Sequence, residues 1–209
     1  GSKVTTTDWG AIVKQNSITS DNLLSVSGGT DKLKAYASLG YLNNTGTIKG
    51  QSFQRYTAKV NLDFNATKWF SLGSNLNVNY NMQQFGQSGR GVATIGSPSG
   101  GLYESSRSIF PYAVPYDANG DRILFPGGDN AIKNVVDEWL YNIDQRETLR
   151  TFGSIYTQLN FGSIFPALKG LRYRMNFGPD ISQYENGGYI DSKSVANGGS
   201  TSWASVNNE

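Results

Sequence analysis

The 209-residue sequence contains no cysteine and no histidine. Without these residues there can be no Ser-His-Asp or Cys-His nucleophile system, no zinc site of the usual ligand types and no disulfide framework. Charged residues make up only 16% of the chain, which is below the roughly 25% of soluble domains. The 18 basic and 16 acidic residues nearly cancel, so nucleic acid is not an expected partner. No run approaches the about 20 apolar residues of a membrane-spanning helix.

The sequence is rich in glycine and aromatic residues, with 25 Gly, 12 Tyr, 10 Phe and 4 Trp. Only 37% of its residues are hydrophobic, and the mean hydropathy is −0.43. This composition is unusual for a compact soluble enzyme. It is expected where strands alternate between two different solvents.

The clearest alternation of apolar and polar residues covers 54–66, whose apolar face carries Tyr56, Ala58, Val60, Leu62 and Phe64. The next segment, 69–82, repeats the pattern, and its opposite face carries the asparagines Asn75, Asn77, Asn79 and Asn81. Because successive side chains of a strand point to opposite faces, both segments are predicted strands. Weaker alternation predicts four more strands, near 22–29, 33–43, 148–162 and 170–184. The predicted fold is therefore all-β and antiparallel.

The predicted connections alternate between tight turns and long links. The turns lie at 28–31, 65–68 and 163–169, whereas the long links are 44–53, 83–147 and 185–209. This asymmetry is typical of a transmembrane β-barrel with long extracellular loops, and a strand of about 13 residues tilted near 45° rises roughly 30 Å. Aromatic residues expected near strand ends would form interfacial girdles; they are Tyr41, Tyr56, Trp69, Phe70 and Tyr80. The alternative is a soluble β-sandwich or lectin-like domain whose apolar faces pack on each other.

One helical pattern lies near the end of the longest link. Apolar residues recur at helical spacing after a plausible cap at Asp129 or Asn130; they are Ile132, Val135, Val136, Trp139, Leu140 and Ile143. This predicts one short amphipathic loop helix. We expect Asp137 and Glu138 to lie on its solvated face, since adjacent carboxylates do not face each other as a glycosidase pair would.

Several ordered segments resemble one family. They include Leu24-Ser25-Val26-Ser27-Gly28-Gly29, Tyr36-x-Ser38-x-Gly40-Tyr41, Arg55-Tyr56, Asn61-Leu62-Asp63 and Lys68-Trp69-x-x-Leu72-Gly73. The series resembles the early barrel region of SusC/RagA-type TonB-dependent transporters. The later segment Leu168-Lys169-Gly170-Leu171-x-x-Arg174 is also similar to family sequence.

The resemblance implies a nutrient importer of the Gram-negative outer membrane, without enzymatic activity or cofactor. It implies a barrel of 22 strands, an internal plug, a TonB box that engages TonB, and a SusD-like lipoprotein lid. Substrates would be glycans or peptides. Because plug, signal peptide and TonB box are absent and about six strands cannot close a barrel, we expect the chain to be a segment of a larger transporter. The alternatives are a passive porin or adhesin barrel, and a soluble carbohydrate-binding β-sandwich domain.

The long link supplies the candidate substrate-binding residues. Sugar rings and peptides both dock on flat aromatic faces, and the candidates are Tyr103, Phe110, Tyr112, Tyr116 and Trp139. Arg107 and Arg122 are the cations best placed to meet an anionic group. The alternative is that the aromatic residues pack within the loop or against the lid.

A weak calcium candidate consists of Asp117, Asn119 and Asp121. The EF-hand pattern requires Gly at its sixth position and Glu at its twelfth, where this sequence has Arg122 and Gly128. An Asn-Gly turn with polar flanks is the simpler interpretation.

Polar residues of the predicted strands are expected to face a watery lumen. They are Arg55, Lys59, Asp63, Asn75, Asn77, Asn79, Arg172 and Arg174. Facing lipid, each Arg or Lys would cost about 2 to 4 kcal/mol at the bilayer midplane. We expect these cations to pair with Asp63, with Asp180 or with plug carboxylates.

Overall fold

The computed structural model describes residues 6–87, 101–128, 132–195 and 203–208. Within these ranges the chain is all-β apart from short helices. The strands are β1 (Thr19–Gly29), β2 (Leu33–Thr45), β3 (Gln51–Asn65), β4 (Phe70–Phe85), β5 (Asn142–Asn160), β6 (Arg172–Phe177), β7 (Asp180–Ile190) and β8 (Trp203–Asn208). The helices are α1 (Trp9–Val13), α2 (Leu102–Arg107) and α3 (Glu138–Tyr141). None of the helices in the described ranges is long and apolar enough to cross a membrane.

All described strands lie in one antiparallel sheet, in the order β1-β2-β3-β4-β5-β7-β8. Strand β6 also pairs with β5, over the part of β5 that β7 leaves free. The single strand expected over 170–184 is therefore two strands on one partner. Pro179 causes the break, because it has no backbone N–H to donate to the ladder. Its carbonyl still accepts the Gly153 amide at 3.1 Å, so the two strands stay in line.

The strands run past the ends of the alternating pattern. Strand β5 begins at Asn142, six residues before the expected start, and β4 continues to Phe85. Because backbone pairing does not require side chains to alternate between apolar and polar, polar residues at the strand ends extend the ladder. As a result the link expected at 44–53 shrinks to 46–50, and the β5–β6 connection at 161–171 is longer. Strict alternation of short and long links is therefore wrong. The expected loop at 185–209 also contains the end of β7 and all of β8.

The strand register separates the side chains into two faces. Tyr41, Tyr56 and Tyr80 are direct neighbours on the apolar face. Their ring centroids are 4.9 Å and 6.1 Å apart. The same face carries Leu24 and Ile181, whose exposed fractions are 72% and 67%. In the described ranges the sheet has no second layer of strands over this face.

The compact core lies beyond the strands, between α1 and the loop that joins β4 to β5. Its buried residues come from α1, α2 and the loop; they are Trp9, Val13, Leu102, Ile109, Ala113, Val135 and Val136. Ile48, from the β2–β3 connection, packs against this cluster. The core is joined to the sheet by main-chain bonds such as Lys49 N–H to the Val13 carbonyl at 2.9 Å. The long loop is thus a small folded unit at one end of the sheet.

The expected helix over 132–143 is mostly wrong. The structure has only the single turn α3, and Ile143 already belongs to β5. Asp137 adopts a left-handed conformation, with φ of 63°, that interrupts any helix through this segment. Val135 and Val136 are buried by the loop core and not by a helical stripe, since Leu140 is exposed. The expected caps, Asp129 and Asn130, lie outside the described residues.

Candidate functional site

Two of the candidate aromatic residues are covered by lysines of the chain itself. The Lys14 ammonium lies 4.8 Å from the centroid of the Tyr103 ring, and the Lys49 ammonium lies 4.3 Å from that of Trp139. Both rings also pack against the loop core. A ring with a cation on one face and the core behind it has little surface left for a ligand. Tyr103 and Trp139 therefore contribute to the packing of the loop, and their contact with substrate stays a prediction.

Phe110 and Tyr112 form an exposed aromatic pair. Their rings are stacked, with centroids 5.2 Å apart and planes 6° from parallel. Tyr112 is 60% exposed, so its outer ring face is open to solvent. Flat ring faces of this kind are where sugar rings and apolar peptide side chains dock.

The turn that carries this pair is fixed by the segment around α1. The indole N–H of Trp9 donates to the Phe110 carbonyl at 3.1 Å. Thr7 donates its amide to the Pro111 carbonyl at 2.7 Å and its hydroxyl to the Ala113 carbonyl at 2.8 Å. The rings thus project from a backbone held at three points.

Tyr116 stands on a neighbouring hairpin-like turn, closed by an isolated bridge between Tyr116 and Arg122. Partial burial raises the pKa of its hydroxyl, as does its hydrogen bond to the Asp137 carboxylate. The ring is still partly exposed. Tyr116 is therefore a second aromatic residue available to a ligand.

Arg122, one of the two cations predicted to meet an anionic group, has its guanidinium bound inside the loop. It forms an ion pair with Glu138 at 2.7 Å, and its side chain is 13% exposed. It also donates to the Val136 carbonyl at 2.9 Å and to the Lys193 carbonyl, and it stacks on Tyr141 at 5.1 Å. Arg122 thus stabilises the loop. Arg107, at the end of α2, is exposed.

Glu138 is buried, contrary to the expected solvated face. Only 1% of its surface is exposed. Besides Arg122, its carboxylate accepts hydrogen bonds from the Val195 amide at 3.0 Å, the Ser194 hydroxyl at 2.7 Å and the Asn142 amide group at 2.9 Å. Sequence reasoning missed this role, because two of the four donors lie more than 50 positions away.

The calcium candidate forms a turn. The Asp117 carboxylate accepts the amides of Asn119 and Asp121 at 2.8 Å and 2.9 Å. Gly120 follows with φ of 86°, as the Asn-Gly turn requires. Throughout the described ranges, no three acidic side chains come together as metal ligands would.

The polar face of the sheet gathers the residues expected to face a lumen. The register puts on one face Arg55, Lys59, Asp63, Asn75, Asn77, Asn79, Arg172 and Arg174. The Asn77 side chain donates to that of Asn75 at 2.6 Å, so the asparagines interact along the strand.

The acidic residues of this face have partners other than those expected. Asp63 accepts the Tyr156 hydroxyl at 2.6 Å, and the Arg174 guanidinium stacks on the Tyr156 ring at 3.8 Å. Asp180 pairs with Arg150 through bonds of 2.9 Å and 2.6 Å. Arg150 is absent from the predicted lumen-facing set, although it lies on the polar side of the alternation in β5.

Several known proteins are similar to this chain in sequence or in fold. No family model matches the chain. The TonB-dependent receptor P26 of Formosa agariphila is 26% identical over 192 residues, which are 88% of this chain and 17% of that receptor. The TonB-dependent receptor SusC of Bacteroides thetaiotaomicron is 29% identical over 116 residues, which are 54% of this chain and 11% of SusC. A solved structure of the RagAB peptide importer in its closed-closed state matches with a TM-score of 0.67 and 21% identity, covering 90% of this chain and 20% of that one.

The chain is similar in sequence to TonB-dependent receptors that include SusC, and it shares its fold with the RagAB peptide importer. The predicted resemblance is confirmed. The chain spans less than a fifth of the length of the curated relatives it matches. The likeness to RagAB establishes an antiparallel fold of the same kind. These relatives are receptors and importers and not enzymes, in agreement with the prediction.

Proposed function

We propose that the chain forms part of the wall and the extracellular loops of an outer-membrane importer. In this proposal the eight strands belong to a larger closed barrel of 22 strands. TonB drives uptake of glycans or peptides, and a SusD-like lipoprotein covers the mouth. The relationship to SusC and the fold shared with RagAB support this function.

The exposed apolar face is the observation that carries the proposal. A soluble β-sandwich would cover such a face with a second sheet, whereas the strands described here form one sheet. Side chains such as Leu24 and Ile181 cannot be left in water without a free-energy cost, which scales with apolar area at about 25 cal/mol per Å². Lipid removes that cost. The sheet therefore fits a bilayer on this face and water on the other.

The apolar face also has aromatic borders at a membrane-like spacing. Tyr41, Tyr56 and Tyr80 form one border, and Phe70 lies at the other end, where the Trp69 ring packs against it with centroids 5.7 Å apart. Ten residues of β4 separate Tyr80 from Phe70, which is about 33 Å along the strand and about 25 Å across the bilayer at a tilt near 40°. The outward band of transmembrane barrels has this height. The long loop would then lie on the extracellular side.

A site-directed lipid contact experiment tests the membrane assignment. Cysteines introduced at Leu76 and Asn77, neighbours on opposite faces of β4, would each carry a bimane label in the full-length protein. In vesicles of brominated lipid we expect quenching of the label at 76 and not at 77. A soluble sandwich would leave both labels unquenched, and that result would contradict the proposal.

Tyr112 is the residue we propose for substrate contact, with Phe110 supporting its ring and Tyr116 nearby in sequence. The proposal predicts that Tyr112→Ala weakens substrate binding and uptake by about tenfold, a typical loss for one aromatic contact of about 1 to 1.5 kcal/mol. Phe165→Ala is the matched control, because Phe165 is an equally exposed ring (57%) in the β5–β6 connection at the other end of the sheet. Equal uptake by both variants would remove Tyr112 from the site.

A further inference from the structure

The loop between β4 and β5 and the turn that follows β7 meet at one buried carboxylate. Glu138 accepts hydrogen bonds from Arg122, on the hairpin-like turn at 115–123, and from Ser194 and Val195, in the turn after β7. The fourth donor is Asn142, at the start of β5. Three separate parts of the chain thus bind the two oxygens of one side chain.

Each oxygen of this carboxylate is occupied from two directions. One oxygen takes Arg122 at 2.7 Å and the Val195 amide at 3.0 Å; the other takes Ser194 at 2.7 Å and Asn142 at 2.9 Å. A glutamine could not serve all four donors, since its amide has a single acceptor oxygen. Breaking a buried ion pair by removing one partner leaves an uncompensated buried charge, which strongly destabilises the local structure.

The backbone beside Glu138 is held in a strained conformation. Asp137 has φ of 63° although it is not glycine, and such a conformation persists only where neighbouring contacts fix it. Here the Asn134 side chain accepts the Val136 amide at 2.9 Å, and Arg122 donates to the Val136 carbonyl at 2.9 Å. The corner that presents Glu138 is therefore fixed by the same arginine that the carboxylate binds.

We propose that Glu138 is a latch that makes the hairpin-like turn at 115–123 and the turn at 191–195 move as one body. Arg122 reaches across to the Lys193 carbonyl, so the two turns are also tied directly. Contact made at Tyr116 on the first turn is then carried to the second. Loss of the latch frees both turns together, while the strands keep their ladder.

Hydrogen exchange in the full-length protein, read by mass spectrometry in detergent micelles, tests this coupling. Glu138→Gln leaves at least one donor unserved and removes the charge that Arg122 binds, and we expect exchange to rise about tenfold or more in both 115–123 and 191–195. Ser194→Ala is the sharper variant, because the substituted residue lies in the second turn and its hydroxyl donates to the Glu138 carboxylate, whereas the latch requires faster exchange in the first turn as well. Glu104→Gln is the matched control, since Glu104 is exposed on α2 and contributes nothing to the latch.

Peptides from β2 and β3 report whether each variant is folded. Unchanged exchange there with a joint rise in both turns supports the latch. A rise confined to the substituted turn, or no rise in either turn, overturns it. If Glu138→Gln fails to assemble, Ser194→Ala alone decides between these outcomes.

Discussion

Gly73 in β4 lets a tyrosine cross the strand on the polar face of the sheet. Gly73 stands opposite Asp63 on one side and Tyr156 on the other. The Tyr156 ring passes over the glycine, and its hydroxyl donates to Asp63 at 2.6 Å. A Cβ at position 73 would lie 2.6 Å from the Tyr156 Cζ and 2.7 Å from an Asp63 carboxylate oxygen. Since real Cβ atoms do not come this close to other atoms, Gly73→Ala must displace the ring.

Displacing the ring breaks two interactions, and their sum gives the expected cost. A hydrogen bond to a charged group contributes about 1.5 to 3 kcal/mol, and the exposure of both partners favours the lower figure. The stacking of Arg174 on the Tyr156 ring adds about 0.5 to 1 kcal/mol. We therefore expect Gly73→Ala to lower the free energy of unfolding by about 2 to 2.5 kcal/mol. Guanidinium unfolding of the full-length protein in detergent micelles, followed by tryptophan fluorescence, measures this change.

Two further variants make the result decisive. Gly187→Ala is the matched control, because a Cβ at Gly187 in β7 meets no atom within 4 Å, and we expect no loss of stability there. Tyr156→Ala should remove most of the penalty of Gly73→Ala in the double variant, since the clash then disappears, giving a coupling energy of about 1 kcal/mol or more. If Gly73→Ala unfolds at the same denaturant concentration as Gly187→Ala, the ring does not lie over Gly73 and the reasoning fails.

Four other substitutions give separate expectations. Val60→Arg, halfway along the apolar face of β3, should destabilise the protein in lipid vesicles by about 2 to 4 kcal/mol. Asn61→Arg, on the opposite face, should cost little; equal costs by denaturant unfolding would contradict the two-faced sheet. Gly50→Ala places alanine at φ of 84° and should cost about 1 to 2 kcal/mol, seen as a lower thermal midpoint, whereas an unchanged midpoint would exclude strain there. The pKa of Asp191 is lowered, chiefly by the hydrogen bond from the Lys193 amide. The ionised Asp191 carboxylate therefore stabilises the turn at pH values above the pKa of the carboxyl in the unfolded chain. This stabilisation is lost as pH falls below roughly 4. We therefore expect hydrogen exchange at 191–195 to rise in acid. Asp191→Asn should abolish this rise, and a rise that persists in the variant would assign it to another group.

The strands could be predicted from sequence because one face of each strand is apolar. In 54–66 and 69–82 nearly every second residue obeys one rule, and the ladder requires only that period. The expected helix over 132–143 failed because burial there follows a compact loop core. Apolar residues such as Val135 and Val136 point to that core from an irregular backbone.

The loop contacts could not be predicted, because they join distant parts of the chain. Nothing near Glu138 in sequence indicates that Ser194 and Val195 will bind it. The aromatic residues of the loop stand out in the sequence as a group, but lysines from outside the loop cover two of them. Local patterns contain no information about such partners.

The joint between α1 and the long loop has a consequence for the order in which the protein assembles. Trp9 and Phe110 are bonded although 101 positions separate them, and four strands lie between. Bringing such distant segments together is entropically costly until the intervening chain has become ordered. We therefore expect the turn bearing Tyr112 to acquire its shape only after β1 to β4 have paired, so that under the proposed function an incompletely paired sheet would present no finished surface to a ligand.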